Sequence, residues 1–139
     1  MRRMILPLML FAAVGVLWVP MGVAEAQVEA PDSALARQYI LQMQSDLRNL
    51  VMAQEAYFAD HIAYAPSVPA MGDSYVPSQG VAVVILTLTR TGWKGIAIHE
   101  RAPGYVCGVF LGVDDAATLH DKAEEGEVTC KGPDGKPYR

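Results

Sequence analysis

DLRNLVMAQEAYFADHIAY, Asp46 to Tyr64, reads as an amphipathic helix in the act of ending. Leu47, Leu50, Val51 and Tyr57 or Phe58 return at intervals of three, four and seven, which places them on one helical stripe. Upstream, Ile40 and Met43 continue that stripe, while Gln42, Asp46, Arg48, Asn49 and Glu55 fall mostly outside it. No proline or glycine interrupts Ser33 to Ala65, and Asp32 or Ser33 offers an oxygen to cap the first turn. Pro66 disfavours helical geometry in the residue before it. The prediction is one helix of about seven turns, ending between Asp60 and Ala65.

Downstream the pattern changes twice. Ala65 to Gly80 carries Pro66, Pro69, Pro77, Gly72 and Gly80 among small and polar residues, and reads as a surface connection without regular structure. From Val81 to Thr89 the chain is β-branched and alternating. Ala82, Val84, Leu86 and Leu88, the purely aliphatic set, are expected to cover the helix, with Val81, Val83, Ile85, Thr87 and Thr89 on the other face. Arg90-Thr91-Gly92 turns into a second strand, Trp93 to Glu100, and Arg101-Ala102-Pro103-Gly104 into a third, Tyr105 to Leu111. Asp114 to Glu125 is polar, and Glu127 to Cys130 forms a short fourth strand. Such short turns imply antiparallel neighbours, since parallel strands need long crossovers. The expected fold is α+β, one long N-terminal helix on a three- to four-stranded antiparallel sheet.

The first residues are expected to leave. Met1-Arg2-Arg3 is a positive start, Met4 to Val19 is apolar apart from Pro7, and Ala24-Glu25-Ala26 is a small-x-small triplet before Gln27. Basic, hydrophobic and cleavage regions in that order make a secretory signal peptide, cut between Ala26 and Gln27. An apolar run of about 16 residues is short for a membrane span, which needs about 20. The chain then divides into a signal peptide at 1–26, a flexible tail at 27–33, an α+β domain at 34–131 and a C-terminal tail at 132–139. Cleavage removes Arg2, Arg3 and Glu25 and takes the net charge from −4 to −5. A mildly acidic domain without a basic cluster is a poor ligand for nucleic acid or an anionic membrane.

Cys107 and Cys130 are the only cysteines. In an oxidising compartment they are expected to form a disulfide closing a loop of about 23 residues, a staple of roughly 3 kcal/mol in the chain-entropy model. Two lone cysteines lack the partners a zinc site requires.

No other constellation carries chemistry. His61, His99 and His120 lack metal-ligand spacing. Asp114, Asp115 and Asp121 lack the glycine and bidentate glutamate of a calcium loop. Ser67, Ser74 and Ser78 sit outside any nucleophile motif, and Glu100 with Asp114 is an arbitrary carboxylate pair. The expectation is no catalytic residue, no metal and no cofactor. Tyr57, Phe58, Tyr64, Trp93 and Tyr105 read first as the helix-to-sheet core and its rim. Their functional reading is a partner surface made by Tyr57, Tyr64, Trp93 and Tyr105 with the Ala65–Gly80 loop.

DLRNLVMAQEAYFAD, the Gly92-Trp93 step into the second strand, and the spaced Cys107 and Cys130 resemble the globular domain of type IV pilin-like and pseudopilin-like proteins. The resemblance spans about residues 34–130. It implies a C-terminal sheet packed on a long helix, and partners among pilus or secretion-system proteins of the bacterial envelope. Family members leave the helix through an Asn-Gly-Thr-Tyr type turn, where this chain has His61-Ile62-Ala63-Tyr64. Pilins also keep their apolar helix, with a glutamate near its start; here no glutamate lies in Met4–Val19 and the expected cut follows the apolar run. The implied protein is an exported, pilin-like structural or interaction protein without the filament rod, periplasmic or extracellular. Two alternatives stand beside it. One is a secreted soluble module binding a small molecule or glycan; the other is a membrane-tethered pilin variant, should residues 1–26 be retained.

Overall fold

The computed structural model describes residues 33–113 and 123–138. Helix α1 runs Ser33–His61, and a 3-10 helix spans Val68–Ser74. Five strands follow: β1 Val81–Leu88, β2 Trp93–His99, β3 Val106–Leu111, β4 Thr129–Lys131 and β5 Pro137–Tyr138. They lie side by side in chain order, every neighbour antiparallel. The fold is α+β, as the periodicities predict, with one strand more than expected.

Helix α1 buries Ala36, Ile40, Met43, Leu47, Leu50 and Ala53 against the sheet, chiefly over β2 and β3. Each fully buried Leu or Ile side chain contributes roughly 1.5–3 kcal/mol, so this stripe dominates the core. On β2 the residues beneath it are Trp93, Gly95, Ala97 and His99; on β3 they include Cys107 and Val109. Gly95 is small for a reason: a Cβ there would lie 2.9 Å from Leu50 Cδ2. The helix stops at His61, where the Ile62 N–H reaches the Phe58 carbonyl at 2.8 Å and Ile62 turns left-handed with φ 57°. Among the described residues no helix is long and apolar enough to cross a membrane.

Three expectations need correction. First, the inward face of β1 is the opposite one. Val81, Val83, Ile85 and Thr87 are half-buried, whereas Ala82, Val84, Leu86 and Leu88 are exposed. Register decides this, because Val81, Val83 and Ile85 stand opposite His99, Ala97 and Gly95, all on the helix side of β2. Second, the Ala65–Gly80 connection contains the 3-10 helix, kinked at Gly72, with Met71 buried in the core. Third, the segment expected as a C-terminal tail at 132–139 carries the short strand β5. A turn through Gly135 at φ 73° returns the chain so that Tyr138 pairs with Cys130 and packs edge-on to Tyr105, centroids 5.6 Å apart. The flexible-tail expectation at 27–33 lies outside the described residues apart from Ser33, the first residue of α1. The signal peptide, its Ala26–Gln27 cleavage point, His120, Asp114, Asp115 and Asp121 also lie outside them.

Candidate functional site

Cys107 and Cys130 face each other across β3 and β4 and are joined by a disulfide. Gln44 Nε2 on α1 donates to Cys130 Sγ at 3.4 Å, so the staple also meets the helix. This bond is structural and leaves no free thiol.

Two polar residues of the helix hold the long connection. Asp46 is buried and accepts from Ser78 twice, backbone N–H at 3.0 Å and hydroxyl at 2.9 Å. Its own carbonyl accepts from the Tyr75 hydroxyl at 3.0 Å, and burial pushes the Tyr75 phenol well above its ordinary pKa. One stripe further along, Gln54 is fully buried and pairs its amide with both backbone groups of Ala65, at 3.1 and 2.8 Å. The connection is therefore a packed wall beside the helix. Its anchors escape a hydrophobic-stripe reading because they are polar. The available signal was a sixteen-residue loop whose backbone needed partners near a helix carrying Asp and Gln eight residues apart.

The expected aromatic surface does not assemble. Trp93 is fully buried in the core, and its indole N–H has no partner among the described residues. Tyr57 stacks on His61 along the helix, centroids 3.9 Å apart. Tyr64 leans on Phe58 at 4.7 Å and donates to Glu55 at 3.3 Å, and its phenol is raised by burial and by that carboxylate. Tyr105 sits across the sheet against Tyr138. These are separate places, not one patch.

What the fold does bring together is the β1 edge. Among the described residues, strand β1 is the outermost of the sheet and has one unpaired side. On the face away from the helix, Val84 and Leu86 of β1 and Ile98 of β2 are all exposed, whereas the shift in register after Ile85 turns the exposed Leu88 to the side of Trp93. At the C-terminal end of β1 an open cleft of about 690 Å³ is lined by Phe58, Ile62, Tyr64, Leu88 and Arg90. At its N-terminal end a smaller polar cleft of about 210 Å³ holds Tyr39, His99, Glu100 and Arg101. His99 stacks on Tyr39 at 4.2 Å and accepts the Arg101 N–H at Nδ1, 3.0 Å away. Burial holds its pKa below the ordinary histidine value, with Glu100 opposing and Arg101 reinforcing the shift.

Of the other chemical candidates, Ser78 is spent on Asp46, Ser74 lines an open groove beside the helix, and Ser67 precedes the 3-10 helix. Among the described residues no group of three or more His, Cys, Asp or Glu side chains converges as a metal site would require. Compared with known proteins, the chain matches no family model and no curated sequence.

Proposed function

We propose that this protein is an exported, pilin-like structural or interaction component of the bacterial envelope, periplasmic or extracellular, working through its surface. One observation carries the reading: an eight-residue strand edge, unpaired among the described residues, with an exposed aliphatic row beside it. Such edges capture extended segments of other polypeptides by backbone pairing, with specificity from alternate side chains. The long helix on an antiparallel sheet and the Cys107–Cys130 bond support the pilin-like part, and the bond supports an oxidising compartment. The clefts beside β1 are open rather than enclosed, which favours a protein partner over a small molecule or glycan. Candidate partners are pilus or secretion-system proteins.

A photo-cross-linking residue in place of Leu86, with the chain expressed from its native envelope, tests the reading. A cross-linked envelope protein, lost on moving the probe to the exposed helix position Met52, is the expected result. Mass spectrometry of the recovered chain is expected to find Gln27 at its start; an intact Met1 in the membrane fraction would replace this reading with the tethered variant.

A further inference from the structure

We propose that β1 pairs antiparallel with β1 of a second copy of this chain, joining two sheets across a two-fold axis. The inference rests on the reading of β1 as an interaction surface and names its occupant.

Exposed edges are normally blunted by lysine, proline, shortness or a bulge. Strand β1 runs eight residues, and no charged residue or proline lies between Val81 and Thr89. Its one irregularity falls between Ile85 and Thr87, leaving Val81–Ile85 regular. The Glu100 N–H bonds to the Gly80 carbonyl at 3.0 Å. Antiparallel alternation from that pair turns the N–H and C=O groups of Val83 and Ile85 to the open side. Among the described residues, no backbone group outside the sheet bonds to residues 82–88 there.

Three features select a second copy over a foreign strand. Pairing centred on Val83 sets Val84 of one copy beside Ala82 of the other, so the exposed aliphatic rows become continuous and no charges meet. Charge then chooses the direction. Arg90 follows the C-terminal end of β1, while the charge of Glu100 at the other end is balanced by the Arg101 guanidinium 4.0 Å away. Antiparallel pairing keeps the two Arg90 side chains at opposite ends of the contact, whereas parallel pairing in register sets them side by side. Closure is the third. The far edge of the sheet is β5, two residues long, and offers too little backbone to extend the assembly. A self-complementary contact that consumes the single long edge ends at a dimer.

Sedimentation velocity on the full chain, expressed with its own leader and purified over a concentration series, tests this. The expected result is a species of about twice the monomer mass that dissociates on dilution. Val84→Lys sets lysines close across the axis at an already exposed position, so the variant is expected to sediment as monomer with unchanged circular dichroism. A wild-type chain that stays monomeric throughout, or a dimer that Val84→Lys leaves intact, overturns the proposal. A monomer that still cross-links an envelope protein at Leu86 refutes the second copy and leaves the edge standing as a surface for another partner.

Discussion

Ile62 holds a backbone that suits glycine. A β-branched residue at φ 57° is strained by about 1–3 kcal/mol, and here it directly follows the helix with its side chain 78% exposed. Ile62→Gly should therefore stabilise the fold by about 1 kcal/mol in urea denaturation; a loss of stability would show that the side chain is needed for packing. The reverse holds at Gly92, where a Cβ would lie 2.0 Å from the Leu111 carbonyl oxygen. Gly92→Ala should cost more than about 2 kcal/mol, read as a fall in melting temperature, because backbone on both sides must move. His99 supplies a pH dependence. Its folded pKa lies below the unfolded value, so protonation favours the unfolded chain. Its contribution is complete above the unfolded pKa of about 6.5 and is lost as pH falls through that value towards the folded one. Tyr39, Glu100 and Arg101 surround it and Asp46 acts on it from the helix. The melting temperature should fall more steeply below about pH 6.5 in the wild type than in His99→Gln; equal slopes would remove His99 as the cause.

At the scale of the element, α1 has two working faces. One is the aliphatic stripe, and Leu47→Ala or Leu50→Ala should each cost about 2–5 kcal/mol, since both side chains are fully buried. The other is polar. Gln54→Ala strips the side-chain amide partners from the buried N–H and C=O of Ala65, and about 2–4 kcal/mol is the expected loss. Hydrogen exchange separates the two faces: Gln54→Ala should speed exchange in the Ala65–Gly80 segment before the sheet, while Leu50→Ala should lower protection throughout. Strand β1 shows the limit of element-scale reading. Both its faces are aliphatic enough to be buried, and Thr87 in the half-buried row suggests solvent.

For the molecule as a whole, the Cys107–Cys130 bond ties the later, shorter strands to β3. Removing it with Cys107→Ser should cost about 2–5 kcal/mol under oxidising conditions, and reductant should lower the wild-type melting temperature while leaving the variant unchanged. The sheet is also asymmetric. One edge is long and apolar; the other is two residues, pinned by the turn through Gly135 and the Tyr105–Tyr138 contact. That asymmetry is what the proposed pairing through β1 relies on.

The sequence alone determined the helix, its stripe from Ile40 through Leu50, its end near His61, the β-meander and the cysteine pair. Each follows from local periodicity, from turn residues or from counting, so nearby residues suffice to state it. The candidate site was only partly legible. Its strand could be located, but which face is exposed depended on the register with β2, set by Gly95 and Ala97 lying under the helix. Trp93 illustrates the same limit: its size marks it for core or interface equally, and only the packing of α1 over β2 places it inside. Asp46 and Gln54 look like solvated helix positions until a distant loop supplies donors and acceptors for them. Tertiary structure decided these matters because burial belongs to pairs of elements brought together, and a single strand or helix cannot encode which of its neighbours arrives.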